Sequence, residues 1–375
     1  MIHRREITSG RHSFPIVVQI CQLFVLLLLV ATGAGCSGGS DQSPTKGASE
    51  PDGGKLPGLT IREVTLALNW YPEAEHGGYY AALVHGYFEE AGLKVTIRPG
   101  GPGVPVIQDV ATKRVEFGIS NADQILVGRA READVVAVFA ALHTSPRCIM
   151  VHEASGIKQF DELKDLTLAI NQNSTFGNFL QRKISLEGCT IVPYPGNVST
   201  FLLTPDFAQQ AYVFSEPFTA KKEGGDPRSL MAAEIGFNPY TSTLIAEAST
   251  IIDDPELVAG FVQAVQKGWA KYLSDPETTN RFILAQTDQM SEEDVDILEF
   301  GAKELQALCL PDDSPGSVPL GNMTQARWQT MADQLVECEV IDAGSLDVAK
   351  AFTTQFLKRS SPVTGQSEAS KPDGE

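Results

Sequence analysis

Asn69, Trp70 and His76 lie close together, directly after the alternating segment "VTLAL" (Val64–Leu68) and just before Gly77-Gly78. The alternation predicts a strand. Residues that end a strand of a wound α/β sheet point into the crevice where helices begin. An indole there offers a flat π face to an aromatic or cationic ligand; the alternative is core packing, for which a strand-end Trp close to Pro72 is poorly placed. His76 can donate or accept a hydrogen bond near neutral pH, or it is an ordinary loop histidine. Glu216 follows "AYVF" and precedes Pro217. A carboxylate at that strand end accepts hydrogen bonds from the amino groups of a ligand, or merely complements a helix N-terminus.

Two further turns have the same strand-to-helix form. Ser120, Asn121 and Asp123 follow "EFGI" and open a helix; they can cap it and also touch a ligand. Ser174, Thr175 and Phe176 lie in "NQNSTFGNF". Hydroxyls and free backbone N–H groups at such a helix start either cap the helix or hold an anionic or carbonyl-like group. Tyr79 and Tyr80 point about 100° apart on their helix, so at most one of them, assigned as Tyr79, reaches the crevice. His85 reads as structural or exposed, and most of the carboxylates between Asn69 and Ile97 read as solvated.

The elements that position these residues alternate. "KVTIR", "EFGIS" and "DVVAVFAAL" are strands, separated by the helices "VPVIQDVATKR" and "ADQILVGRARE". A second series follows. "CIMVH", "LTLAI", "TIVPY", "AYVF" and "LMAAEIG" read as strands; "TFGNFLQRKISLEG" and "EPFTAKKEG" read as helices. This alternation predicts an α/β protein. After "STLIAEAS" the pattern becomes helical over 255–273, 277–286, 292–308, 324–337 and 345–357.

The ends differ from this body. Arg4, Arg5 and Arg11 precede an apolar run from Phe14 to Ala31 and the small-residue stretch "TGAGC", which has the form of a secretory leader over residues 1–35. A retained membrane anchor is the rival, with the run near the lower limit for a span. Cys36, followed by Ser37-Gly38-Gly39-Ser40, resembles the lipidated cysteine of bacterial lipoproteins, although Gly33 stands where that pattern has Leu. Such an anchor tethers a domain without spanning the membrane. Residues 36–60 read as a Gly/Ser/Pro linker, and residues 360–375 as a disordered tail.

Without residues 1–35 the chain carries 26 basic and 46 acidic residues, a net charge of −20. Nucleic-acid binding needs basic surface and is not expected. Four cysteines remain, Cys148, Cys189, Cys309 and Cys338, without CxxC spacing. They read as single thiols, with Cys309 and Cys338 the pair if one forms. No HExxH, HxH or GxSxG occurs, and "GPGVPV" lacks the third glycine of a dinucleotide fingerprint. No cofactor, metal site or catalytic residue is expected.

Several stretches resemble the periplasmic substrate-binding proteins for thiamine pyrimidines, sulfonates and nitrate. They are "LNWYPEAEHGGYYAALVHGYFEEAGLKV", "VEFGISNADQILVGRA", "ASGIKQFDELKDLTLAI", "FSEPFTAKKEG" and "DPELVAGFVQAVQKGWAKYLSDPE". The Trp and His of the first, and the "SEP" of the fourth, are similar to the pyrimidine-precursor branch. The resemblance implies a two-lobed type II binding-protein fold, each lobe a mixed sheet flanked by helices, with a helical C-terminal portion. It puts lobe 1 at 62–148 plus 246–358 and lobe 2 at 150–240. It implies an aminopyrimidine between Trp70 and Glu216, delivery to ABC permease and ATPase subunits, and an extracytoplasmic location on a lipid anchor. A sulfonate or nitrate ligand, and a sensor uncoupled from import, are the alternatives. A eukaryotic relative that makes the thiamine pyrimidine carries a Cys-rich motif that this chain lacks.

Overall fold

The computed structural model describes residues 61–310 and 318–358. The expected leader, Cys36, the linker and the tail lie outside the described residues.

The first lobe begins with β1 (Arg62–Ala67), α1 (Gly77–Val84), α2 (Tyr87–Glu90), β2 (Leu93–Arg98), α3 (Val106–Ala111), β3 (Phe117–Ser120), α4 (Ala122–Ala130) and β4 (Val135–Leu142). Gly86, left-handed at φ 73°, separates α1 from α2, a conformation that glycine adopts without steric cost. The chain then builds a second lobe from β5 (Arg147–His152), β6 (Thr167–Ala169), α5 (Thr175–Lys183), β7 (Thr190–Val192), α6 (Ser199–Leu203), β8 (Phe207–Tyr212), α7 (Glu216–Lys222) and β9 (Pro227–Met231). It returns as β10 (Thr241–Glu247) and ends in α8 (Ala248–Asp253), α9 (Pro255–Ser274), α10 (Glu277–Leu284), α11 (Val295–Cys309) and α12 (Gln325–Glu337).

The two sheets have the orders β2-β1-β3-β10-β4 and β7-β6-β8-β5-β9. β1 is parallel to β2 and β3, whereas β10 runs antiparallel between β3 and β4. In the second sheet β6 is parallel to β7 and β8, and β5 runs antiparallel to β8 and β9. Each sheet is therefore mixed because a strand reached through a crossing is inserted against the grain of the others. This is the two-lobed α/β architecture that the resemblance implies.

The lobe boundaries need correction. Arg147 and Cys148 already belong to the second sheet, and β10 lies wholly in the first. The crossings are therefore residues 143–146 and 236–240, whereas the expected lobes met between 148 and 150 and between 240 and 246. Both are held by α12. Arg327 donates from Nη1 to His143 Nδ1 (3.1 Å) and from Nη2 to the Asn238 carbonyl (2.7 Å). Its guanidinium also lies 4.1 Å from the Tyr240 ring centroid. Asn238 Oδ1 in turn accepts from the Ser145 N–H at 2.8 Å. Burial, and then the adjacent Arg327 charge, push His143 down to about 4.

The first core joins Leu66, Phe117, Phe139 and Leu244 of the sheet to Phe261, Val265 and Trp269 of α9. Here Gly78 has a packing role. A Cβ on it would lie 2.1 Å from Trp269 Cγ, and one on Gly268 would lie 2.2 Å from the Gly78 carbonyl oxygen. The helices α1 and α9 approach glycine to glycine, which only absent side chains permit.

Two further expectations differ, and the expectation of single thiols holds. Residues 345–357 form no α-helix; only 348–350 make a 3-10 turn. Ala351 and Thr353 instead exchange backbone hydrogen bonds with Ala137 of β4, so the segment covers an open sheet edge. "LMAAEIG" is half strand, with a 3-10 turn over Ala232–Ile235. Cys148, Cys189, Cys309 and Cys338 are all free. Cys309 packs in the first core and Cys338 against the second, so the two do not pair. Among the described residues no helix is long and apolar enough to cross a membrane.

Candidate functional site

A continuous hydrogen-bonded network runs through the meeting line of the lobes. His76 Nε2 faces Asn69 Oδ1 at 3.0 Å and Glu75 Oε1 at 3.1 Å. Two oxygens opposite one ring nitrogen assign the proton to Nε2 and leave Nδ1 as an acceptor. Ser242 Oγ donates to the Glu75 carbonyl (2.8 Å), and the Ser242 N–H donates to Asn121 Oδ1 (3.2 Å). Asn121 Nδ2 donates to the Tyr212 hydroxyl of the second lobe (3.2 Å), which also accepts from Arg147 Nη2 (3.0 Å). The Tyr212 N–H donates to Glu216 Oε2 (2.8 Å), and the Tyr194 hydroxyl donates to Glu216 Oε1. A second cross-lobe bond runs from Thr175 Oγ1 to Asp123 Oδ2.

Ser242 is the joint of this network. It is fully buried and left-handed at φ 50°, a conformation that costs a non-glycine residue free energy and persists only where surrounding bonds impose it. Three bonds do so: its two donations, and the Tyr79 hydroxyl donating to its carbonyl at 2.6 Å.

The electrostatics are one-sided. The carboxylates of Glu75, Asp123 and Glu216 act on the Arg147 guanidinium. Burial pulls Arg147 down, but Tyr212, Asp123, Glu216 and Glu75 outweigh it and hold it above its ordinary value. Its charge also lies 4.9 Å from the Tyr212 ring centroid and 5.4 Å from that of Phe176. Glu73 is raised well above the usual carboxylate range by burial, then by Glu75 and Glu216. Burial likewise raises Glu216, against the pull of Tyr194 and the Tyr212 N–H. Three buried atoms, Glu75 Oε2, His76 Nδ1 and Asp123 Oδ1, have no hydrogen-bond partner in the protein. Among the described residues no group of three or more His, Cys, Asp or Glu side chains is arranged to hold a metal ion.

The site residues expected from sequence are thus distributed unevenly. Asn69, His76, Asn121 and Glu216 lie in the network, and Asp123 and Thr175 form the second cross-lobe bond. Asn121 does not cap α4; its amide is used across the cleft. Trp70 is partly exposed, and its one aromatic neighbour among the described residues is Tyr71, at 5.3 Å. Ser174 caps α5 by accepting from the Gly177 N–H. Phe176 is buried against Phe237 beneath Arg147. Ser120 is buried and donates to Gln124. Tyr79 and Tyr80 are both core residues, and Tyr79 serves the site through Ser242. Glu75, in the 3-10 turn Ala74–His76, is 1% exposed and is an exception among the carboxylates between Asn69 and Ile97, most of which were read as solvated. Arg147, Tyr194, Tyr212 and Ser242 were not foreseen. Tyr194 and Tyr212 do stand at strand ends, the same signal that marked Trp70.

Comparison with known proteins agrees with this architecture. The riboflavin-binding protein RibY of Chloroflexus aurantiacus is 23% identical over 361 residues, covering 91% of this chain and 98% of the relative. A formylaminopyrimidine-binding protein of Halalkalibacterium halodurans is 22% identical over 284 residues, 73% and 85% of the respective chains. Further relatives, at 24% identity, are named 4-amino-5-hydroxymethyl-2-methylpyrimidine phosphate synthase. Among solved structures, the periplasmic aliphatic sulphonate binding protein SsuA of Escherichia coli superposes with a TM-score of 0.58 at 15% identity, over 84% of this chain and 97% of that one. The fold is that of the periplasmic binding proteins. A family model described as NMT1/THI5 like matches residues 73–279, from the carboxylate-rich turn after β1 to the start of α10, and the chain belongs to that family.

Proposed function

We propose that the protein is an extracytoplasmic solute-binding component of an ABC importer, tethered by lipid on Cys36, that holds a thiamine-related aminopyrimidine between its lobes. The observation that carries this reading is Glu216. Its carboxylate is fixed by the Tyr194 hydroxyl and the Tyr212 N–H, and Trp70 of the opposite lobe keeps a partly exposed ring. An aminopyrimidine would lay its ring face on the indole and turn its amino edge to the carboxylate. The relative named for formylaminopyrimidine binding supports the ligand class. Lobe closure around the ligand is the mechanism, a hinge motion rather than chemistry.

A second reading has its own support. The riboflavin-binding relative matches nearly the whole chain, and a flavin is also a flat nitrogen heterocycle. A thermal-shift screen with aminopyrimidines, thiamine, riboflavin, taurine and nitrate separates the readings, since a ligand of the folded state raises the unfolding temperature. Stabilisation by an aminopyrimidine is the expected result. A response to riboflavin alone, or only to a sulfonate or nitrate, would reject it. The synthase-named relatives call for one control: mass spectrometry should recover the bound pyrimidine unchanged after incubation.

A further inference from the structure

The acceptors of the cleft are unevenly matched. Glu216, on the second lobe, already receives two donors. On the first lobe Glu75 and Asp123, 1% and 5% exposed, each keep one oxygen without any partner, as His76 keeps Nδ1. A buried acceptor left unpaired loses the hydrogen bonds that water would give it, and loses more when it is charged. These three atoms lie on two elements, the turn before α1 and the first turn of α4; the start of α4 reaches the second lobe through Asn121–Tyr212 and Asp123–Thr175, and the turn is tied to Asn121 through Ser242. The one guanidinium present, Arg147, is engaged by Tyr212 and by aromatic faces. Three carboxylates, Glu75, Asp123 and Glu216, thus face one fixed cation.

We infer that Glu75 and Asp123 form a second recognition edge, made only of acceptors, on the first lobe opposite Glu216, so that the cleft takes a positively charged nitrogen compound with N–H donors on both edges and rejects oxyanions. This rests on the aminopyrimidine reading and narrows it. An acceptor-only ligand such as a sulfonate would face unpaired carboxylate oxygens and their charge, the kind of repulsive pairing that sets specificity. An ammonium arm would satisfy Glu75 and Asp123 with charge-assisted hydrogen bonds, which are the stronger class.

The test uses two probes that share a ring. 4-Amino-5-aminomethyl-2-methylpyrimidine carries an ammonium arm at neutral pH, and its 5-hydroxymethyl counterpart does not. Titration calorimetry at low salt should show the ammonium compound binding about tenfold or more tightly than the neutral one, with no detectable methanesulfonate binding. Glu75→Gln and Asp123→Asn keep side-chain shape, and each should remove most of that preference. Equal affinity for the two pyrimidines, methanesulfonate binding comparable to either, or a preference that survives in both variants would overturn the inference. Absence of binding by both pyrimidines would instead defeat the aminopyrimidine reading on which it rests.

Discussion

Replacing Arg147 by Met isolates the electrostatics of the cleft, because Met retains much of the apolar stem that packs against Phe176 and Tyr212. The loss has two parts. The charged donor to the Tyr212 hydroxyl at 3.0 Å is worth about 1.5–3 kcal/mol. The placement beside the Tyr212 and Phe176 rings adds about 0.5–2 kcal/mol. Together these agree with the roughly 3–5 kcal/mol lost when one member of a buried charge cluster is removed. The loss should also depend on pH. Arg147 restrains the proton affinity of Glu216, which burial already raises. Without the guanidinium that affinity rises further, so keeping Glu216 ionised becomes costlier. At pH 5, where more of the carboxyl groups carry protons, the mutant should lie nearer the wild type; at pH 8 the gap should be widest. Urea unfolding followed by tryptophan fluorescence at the two pH values measures both quantities. A loss below about 1 kcal/mol at pH 8, or one identical at both pH values, would show that Arg147 is solvated and does not neutralise the carboxylates.

Three other outcomes are expected. Trp70→Ala should weaken aminopyrimidine binding by more than about tenfold with little change in unfolding temperature, since the ring is partly exposed and outside the core; unchanged calorimetric affinity would place the stacking surface elsewhere. Glu73→Gln should flatten the fall of stability with rising pH. A carboxyl whose folded pKa is raised contributes stability that is complete below the unfolded value and declines as pH rises towards the folded one, so an unchanged slope in the mutant would refute the assignment. Gly78→Ala should cost about 1–3 kcal/mol by overpacking, because the added Cβ meets Trp269 at 2.1 Å; wild-type stability in a urea titration would contradict the close approach of α1 and α9.

The sheet strands and the turns after them were legible because alternation and strand-end polarity are local signals. Asn69, His76, Asn121 and Glu216 were found that way. Arg147 was not, because its significance lies in carboxylates drawn from three other segments. Ser242 was hidden inside an apolar strand, and its left-handed backbone is imposed by partners 121 and 167 residues away in sequence. Gly77-Gly78 was readable as a helix start, but the reason for Gly78 sits in α9. Residues 345–357 failed for a related cause: their helical pattern yields to an unpaired sheet edge, which exists only after the chain has folded.

The C-terminal helices give the molecule a control that lies outside its pocket. α11 meets α7 of the second lobe through Phe300 on Phe218 and through Asp296 and Asp294 on Lys222. α12 reaches α5 through Glu337 on Lys183, and its Arg327 holds both crossings at once. Parting the lobes must peel these contacts, and one guanidinium clasps both connecting segments. The apparent affinity for any ligand scales with the fraction of molecules in the competent form. Surface substitutions at Lys222 or Phe300 would therefore retune capture and release without altering a single atom that touches the ligand.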